Sequence, residues 1–300
     1  AKEAYGRYRE TLLATDIQNI LFVDQQIASC NNAPAIMAEP VRFTIESLGD
    51  VINDSNDNFF PVVSADGKTI AYMSSMKFYD AIMVSHLVRN EWTPPVNITP
   101  ELQSDGDHYI SYLSPNGTLM LLSKDDNINS DIWMSKFDGT RWEPARKLKK
   151  EINTKYWEAH GYLTEDGSAM IFSSDRPGGF GGLDLYISKL NEDGEWGTPV
   201  NLGPEINTPF NDDRPFLINN GTILFFASQG HYNMGGYDIF RSDLQSNGLW
   251  SKPKNIGYPL NNPDDNFFFC PTDKGNGGFM SMTRRDEGEG KGDIYHIRFK

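Results

Sequence analysis

The sequence contains only two cysteines, Cys30 and Cys270, among 300 residues. A disulfide framework needs several cysteines, and the positions of these two give no reason to pair them. No apolar run approaches the roughly 18 residues that a membrane-spanning helix needs. We therefore expect no membrane insertion. The start of the chain has no recognisable signal peptide, which indicates a mature or trimmed chain.

Basic residues are outnumbered, with 27 Lys and Arg against 41 Asp and Glu and a net charge of −14. Nucleic-acid binding needs clustered Lys and Arg, so we expect no nucleic-acid partner. An excess of acid suits solubility, cation binding or a basic partner, and does not choose among them.

The five histidines form no His-x-x-x-His pair, and neither a P-loop nor a Gly-x-Ser-x-Gly motif is present. We predict no metal site.

The sequence does contain a segment that is repeated five times. Tandem copies with several short strands each are typical of a β-propeller. Most copies also hold an Asp-Gly or Asn-Gly turn, which suits a tight hairpin. We predict an all-β fold, a five-bladed β-propeller of four-stranded blades. The recurring landmarks are Trp92, Trp142, Trp196 and Trp250, and an Asp before a short apolar strand at Asp80, Asp131, Asp184, Asp238 and Asp293.

The two ends of the repeated region predict how the ring closes. The last copy stops after its third strand, at Ile294 to Phe299, and Arg42 to Leu48 matches a fourth strand. We predict that this N-terminal strand completes the fifth blade and removes an exposed sheet edge.

Residues 1–38 differ from the repeats, because their apolar residues recur at helical spacing. We expect the run Asn31-Asn32-Ala33-Pro34 to break this pattern. The predicted domains are a short helical lead-in or linker over 1–38 and the propeller over 39–300. The lead-in either packs on the propeller or ends a helical domain lying upstream.

Two segments carry a resemblance to a known family. The turn Phe60-Pro61-Val62-Val63-Ser64-Ala65-Asp66-Gly67-Lys68 resembles the TolB-like, WD-like propeller repeats. The run from Ser173 to Tyr186, with Asp-Arg-Pro-Gly-Gly-Phe-Gly-Gly-Leu-Asp inside it, is similar to a subgroup of Gram-negative envelope proteins. There the propeller lies beside tetratricopeptide-type and OmpA-type domains. Blade two departs from the pattern at Ser123-Lys124-Asp125.

This resemblance implies a place in the periplasm or at the outer membrane of a Gram-negative bacterium. It also implies an envelope protein as the partner. Neither an OmpA-type nor a tetratricopeptide-type domain is recognisable in these residues, so the resemblance does not extend to peptidoglycan binding.

Acidic residues at the entry to the predicted inner strands are the sharpest candidates for chemistry. Glycoside hydrolases use a pair of carboxylates, and some of them are five-bladed propellers. Ca²⁺ takes six to eight oxygen ligands, so a cation is a second possibility. Because an acid recurs in every copy, we predict that these residues bond backbone amides, with no catalytic residue and no cofactor. They are Asp57, Asp107, Glu158, Asp212 and Asp265.

Function should lie where the copies differ, above all in the long loops between the second and third strands of blades three and four. Their glycines allow close approach, and aromatic and Arg side chains are enriched in binding surfaces. We predict a mobile patch on a non-enzymatic protein-interaction or scaffold propeller of the bacterial cell envelope. The alternative is a carbohydrate-active propeller, either lectin-like or a glycoside hydrolase. The candidate binding residues are Tyr156, Trp157, Arg176, Phe180, His231, Tyr232 and Met234.

Overall fold

The computed structural model describes residues 1–126, 128–283 and 292–300. Two helices, α1 (Lys2–Thr11) and α2 (Ile17–Ala38), precede the strands. A 3₁₀ turn covers Asp273–Gly275. The strands are β1 (Phe43–Ser47), β2 (Asn58–Val63), β3 (Thr69–Ser75), β4 (Asp80–Val88), β5 (Glu91–Trp92), β6 (Val96–Asn97), β7 (His108–Leu113), β8 (Leu119–Asp125), β9 (Ser130–Lys136), β10 (Arg146–Lys147), β11 (Glu158–Leu163), β12 (Ala169–Ser174), β13 (Asp184–Lys189), β14 (Val200–Asn201), β15 (Asp212–Ile218), β16 (Ile223–Ser228), β17 (Asp238–Asp243), β18 (Lys254–Asn255), β19 (Cys270–Thr272), β20 (Gly277–Thr283) and β21 (Gly292–Phe299).

The strands form five antiparallel sheets, which are the five predicted blades. Blade one is β2-β3-β4, with the short β5 and β6 both pairing with β4. Blades two, three and four are β7 to β10, β11 to β14 and β15 to β18. Blade five is β19-β20-β21-β1. The predicted fold class, a five-bladed propeller of four-stranded blades, is confirmed.

The predicted closure by the N-terminal strand is also confirmed. β1 pairs antiparallel with β21, from Phe43 opposite Phe299 to Ser47 opposite Tyr295. The pairing continues past the strand, because the backbone N–H of Leu48 donates to the carbonyl oxygen of Ile294. The outer edge of β21 is therefore covered by a segment from the other end of the ring.

Burial follows from the position of a strand within its blade. All six residues of β12 and all six of β16 are buried, because neighbouring blades pack on both faces of these second strands. Large aromatic side chains such as Phe172 and Phe226 fill the space between blades. The short outermost strands are largely exposed, as in β10 and β14.

The expected break in the helical lead-in is wrong. α2 continues through Pro34 to Ala38. A proline removes its own N–H from the helix, and here hydrogen bonds to the propeller hold the residues just before it. Ser29 and Asn32 both hydrogen-bond to Asn233 in blade four. No helix in the described part of the chain is long and apolar enough to cross a membrane.

Candidate functional site

The innermost strands all begin on one face of the ring, and the loops between second and third strands emerge on the same face. We call it the entry face. Backbone hydrogen bonds tie these two sets of segments together, as from Ser75 N–H to Asp57 and from Gln229 N–H to Asn211. The entry face therefore gathers both the candidate acids and the candidate binding loops.

The five candidate acids do not occupy one repeated position, although the sequence pattern predicts them as one recurring acid. Glu158 and Asp212 are the first residues of their strands, opposite Ser174 and Ser228. Asp57, Asp107 and Asp265 lie one residue earlier in the repeat. The first position is instead filled by Asn58, His108 and Asn266 in the other blades.

The first position clamps the connecting segment that precedes it. Glu158 accepts hydrogen bonds from Thr154, both from its backbone N–H and from its hydroxyl. Ser174 and Arg176 donate to the same carboxylate, which has no exposed surface. All of the donors around Glu158 are structural, so this carboxylate is committed to holding the loop.

Asp212 makes the equivalent clamp in blade four. It accepts hydrogen bonds from the Thr208 backbone N–H and from the Ser228 hydroxyl. Burial raises the pKa of this carboxyl to about 7, and these hydrogen bonds only partly oppose that shift. Asp212 is therefore a buried carboxyl with a perturbed pKa, but it has no exposed surface.

The earlier position joins neighbouring blades. Asp57 of blade one accepts a hydrogen bond from the Gly292 N–H of blade five at 2.7 Å. Asp265 of blade five accepts one from the Tyr237 N–H of blade four at 2.9 Å. Asn211 does the same for the next pair, accepting from a backbone N–H of blade three. These side chains stabilise the interfaces between blades.

Asp107 belongs to a different arrangement. Together with Asp105 and His108 it forms a group whose ligand atoms lie within 4.8 Å of one another. The Lys124 ammonium lies 2.7 Å from Asp107. A positive charge from the chain itself therefore already faces this carboxylate, and the expectation of no bound metal here stays a prediction.

A second polar network lies deeper on the channel side of blades three and four. His160 Nδ1 lies 2.7 Å from Asp213 Oδ1, which also accepts hydrogen bonds from the Ser173 hydroxyl and the Arg214 backbone N–H. Burial alone would raise the pKa of the Asp213 carboxyl, but the contact with His160 outweighs it and holds this pKa well below its usual range. Burial, with the nearby Arg214 charge, lowers the pKa of His160.

The channel below this network is filled by aromatic rings, one from each blade. Four successive pairs of ring centroids, from Tyr112 round to Phe60, lie 4.8 to 5.2 Å apart, within the usual range for aromatic pairs. The rings form a floor beneath the mouth on the entry face. In order around the ring they belong to Tyr112, Tyr162, Phe216, Phe268 and Phe60.

Three of the candidate binding residues make their contacts within the protein. Arg176 is paired with Glu158 at 3.1 Å and stacks over Phe172. His231 contacts the Ile206 carbonyl oxygen through Nε2 at 2.8 Å. Met234 has 3% of its surface exposed and belongs to the core.

Phe180 and Tyr232 remain open to solvent, with 48% and 54% of their surface exposed. They lie on loops of neighbouring blades. Tyr156 and Trp157 lie apart from them, before β11, and are half-buried. Lys155 covers the ring of Tyr156 at 5.2 Å.

Helix α2 distinguishes the two long loops. Gln25 donates to the carbonyl oxygens of Gln229 and His231, and Ser29 donates to Asn233, all in blade four. The loop of blade three receives none of these helix contacts among the described residues. Phe180 and Met234 occupy equivalent repeat positions. This position is buried in blade four, where helix α2 contacts the loop, and exposed in blade three, where these contacts are not made.

The glycines of these loops are required by the conformation and packing of the loops. A Cβ at Gly181 would lie 2.2 Å from the Phe210 carbonyl oxygen, and one at Gly235 would lie 2.7 Å from two carbonyl oxygens. Close approach to the next connecting segment therefore requires glycine here. The loops are anchored, because Phe180 and Gly181 N–H groups donate to Asp184. These contacts argue against the mobility that we expected.

Two exposed apolar residues on the same face were missed from sequence. Phe78 in blade one and Ile128 in blade two have 86% and 91% of their surface exposed. Each lies in the loop between the second and third strands of its blade. The signal for Ile128 was a large apolar residue within a short polar loop, and for Phe78 it was a cluster of apolar and aromatic residues, Met76 to Tyr79, between two strands.

No family model matches the chain, and no curated protein matches it. Solved structures do. TolB from Acinetobacter baumannii is 19% identical over 83% of this chain and 57% of that chain, with a TM-score of 0.51. This chain thus spans little more than half of that TolB.

Two α-L-arabinofuranosidases are also similar. The GH62 catalytic domain from Coprinopsis cinerea is 11% identical, covering 87% of this chain and 98% of that chain, with a TM-score of 0.54. The Lactobacillus brevis enzyme is 12% identical, covering 82% and 92%, with a TM-score of 0.51. The shared property is the fold.

Proposed function

We propose that this protein is a non-enzymatic interaction propeller whose entry face binds a protein partner. The observation that carries the proposal is the placement of exposed apolar side chains. Phe78, Ile128, Phe180 and Tyr232 come from four consecutive blades, and all lie in loops of this one face. Large exposed apolar residues gathered on one surface mark interaction sites.

The partner of this surface presents apolar side chains with a basic rim. The apolar part follows from the four exposed side chains. The basic rim follows from charge complementarity with a chain of net charge −14. Resemblance of the run from Ser173 to Tyr186 to envelope propellers, together with the fold shared with TolB, supports a place in the periplasm or at the outer membrane of a Gram-negative bacterium.

The hydrogen bonds that the candidate acids already accept support a non-catalytic role. A general acid or nucleophile must reach its substrate. Glu158 and Asp212 have no exposed surface, and their oxygens already accept hydrogen bonds from the chain. Asp57 lines a cavity of about 310 Å³, but it also accepts a backbone hydrogen bond from blade five.

The test compares two double variants on an affinity column with a detergent-solubilised Gram-negative envelope extract. Phe180→Ala with Tyr232→Ala removes two neighbouring apolar contacts from the entry face. Val88→Ala with Leu249→Ala removes two exposed apolar side chains from the opposite face and is the control. We expect the first variant to lose, at an unchanged Tm, proteins that the parent and the control retain. Equal recovery by all three would refute the proposal.

A carbohydrate-active propeller is the second candidate, because one observation favours it. Asp212 and Asp213 are adjacent carboxyls whose pKa values are shifted in opposite directions, as in acid–base pairs of hydrolases. Hydrolysis of an aryl α-L-arabinofuranoside or arabinan tests it directly. We expect no turnover. Turnover that disappears in Asp57→Asn, Glu158→Gln or Asp212→Asn would establish the enzyme instead.

A further inference from the structure

Arg214 occupies an unusual position at the channel mouth. It is the third residue of β15, lies at a bulge between Asp213 and Phe216, and has a φ of 51°. Its guanidinium carbon lies 4.1 Å from the centroid of the Phe60 ring and 5.6 Å from that of Phe267. Rings from blades one and five thus hold the guanidinium in place through cation–π contacts.

The side-chain donors of Arg214 are not used within the described part of the chain. Nε and Nη1 are shielded from solvent, yet they donate no hydrogen bond to any described residue. Asp213, the neighbouring acid, binds His160, Ser173 and the backbone N–H of Arg214 instead. A buried charged donor without an acceptor destabilises the folded protein, so an acceptor is expected here.

The hydrogen bonds of this network leave room for an anion, although the whole chain is acidic. Asp213 faces His160 at 2.7 Å, and Glu158 faces Arg176 at 3.1 Å. Both carboxylates therefore already have hydrogen-bond partners, and the Arg214 charge acts on Asp213 without a hydrogen bond from its side chain. The unused hydrogen-bonding capacity of this network lies in the positive group, Arg214.

We propose that Arg214 binds a carboxylate group that enters the channel from the entry face, above the aromatic floor. The planar guanidinium presents its N–H groups as a fork, which fits a carboxylate better than a spherical anion. The carboxylate comes from a peptide, as an acidic side chain or chain end, or from a uronic acid sugar. This site goes beyond the proposed function, because it requires no contact with the exposed loop residues.

The test observes the Arg214 Nε–Hε resonance by NMR in the ¹⁵N-labelled protein. The probes are sodium acetate, sodium glucuronate, and triglycine with a free or an amidated C-terminus. Glucose and sodium chloride at matched ionic strength are the controls. The resonance is assigned by its loss in Arg214→Gln. Arg241→Gln is the matched control variant, because Arg241 also lies over an aromatic ring, Phe225, but already bonds Asp243.

We expect acetate and at least one larger carboxylate to shift this resonance saturably, without an effect of glucose or amidated triglycine. Affinity, measured by calorimetry, should fall about tenfold or more in Arg214→Lys, which keeps the charge but loses the fork. Arg241→Gln should bind like the parent. A response to glucuronate alone or to free triglycine alone identifies the source of the carboxylate.

Two results would overturn the proposal. One is the absence of a saturable shift in the parent protein, a measurement that does not depend on how any variant folds. The other is an equal response to chloride, which would show charge screening instead of a site. Failure of this test leaves the loop residues and their pull-down untouched, so the two proposals fail separately.

Discussion

Asn53 holds both backbone groups of Ile294, which lies at the far end of the ring. Its Oδ1 accepts a hydrogen bond from the Ile294 N–H at 2.8 Å, and its Nδ2 donates to the carbonyl oxygen at 3.0 Å. Asn261 makes the same pair of bonds with Ile239 inside one blade connection. The pair of hydrogen bonds that joins nearby segments of the chain at Asn261 thus joins the two ends of the ring at Asn53.

We expect Asn53→Ala to lower the free energy of unfolding by about 1–3 kcal/mol, because it leaves the Ile294 N–H without its acceptor and removes one of the two donors to the Ile294 carbonyl oxygen, the other being the Leu48 N–H. Urea unfolding followed by tryptophan fluorescence measures the change. Asn56→Ala is the control, since Asn56 bonds mainly to the exposed Asp54 nearby. Equal stability of the two variants would contradict a closing role for Asn53.

Removing residues 1–52 should cause aggregation or a Tm well below that of the parent. The deletion takes away β1 and exposes the edge of β21, where unpaired N–H and C=O groups template association. A chain that starts at Pro40 is the control, because it lacks the helices and keeps β1. Light scattering and calorimetry report the outcome. A monomer with an unchanged Tm would mean that the ring does not need its N-terminal strand.

Gly181→Ala should destabilise the protein, while Phe180→Ala at the neighbouring position should change its Tm little. The new Cβ would lie 2.2 Å from the Phe210 carbonyl oxygen, so the loop or the next connecting segment must move. The Phe180 side chain is 48% exposed, so its truncation should disturb the packing of the loop little. Thermal unfolding of both variants decides. A Gly181→Ala protein as stable as the parent would show that the loop is free to shift.

Arg176→Gln should cost about 3–5 kcal/mol, because it leaves the buried Glu158 carboxylate without its positive partner. Arg241→Gln breaks a more exposed ion pair with Asp243 and should cost less than about 1 kcal/mol. Denaturant unfolding of the two variants measures the difference. Similar losses of stability in the two variants would mean that Arg176 is not needed to hold Glu158, and Arg176 would then be available as a binding residue.

Asp212 should make stability fall as the pH rises from about 4 to about 7. Burial raises its pKa from 3.8 to about 7, so the folded protein keeps a proton that the unfolded chain releases. The stabilisation is complete below about pH 4 and is lost through about pH 7. Asp212→Asn removes this dependence, so its stability relative to the parent should rise by on the order of 4 kcal/mol across the window. Parallel pH profiles of parent and variant, measured in urea, would refute the shift.

The repeats determined the fold from sequence alone. Trp and Asp landmarks, hairpin turns and apolar second strands recur because every blade packs between its neighbours in the same way. The pattern of one copy therefore predicts the structure of the others. The closing strand was predictable for the same reason, since Arg42 to Leu48 carries the pattern of a fourth strand. Pro34 misled the helix prediction, because hydrogen bonds from Ser29 and Asn32 to a distant blade are invisible in a local pattern.

Only the tertiary structure decided what the individual polar and aromatic residues do. Phe180 and Met234 occupy the same repeat position, yet one is exposed and the other buried, and the difference coincides with contacts made by helix α2 some 200 positions earlier in the chain. Arg214 lies beside Asp213 in sequence, but its side chain stacks on Phe60 from another blade. Periodicity encodes which residues repeat, whereas the distances between blades, which set burial and pairing, exist only once the ring has closed.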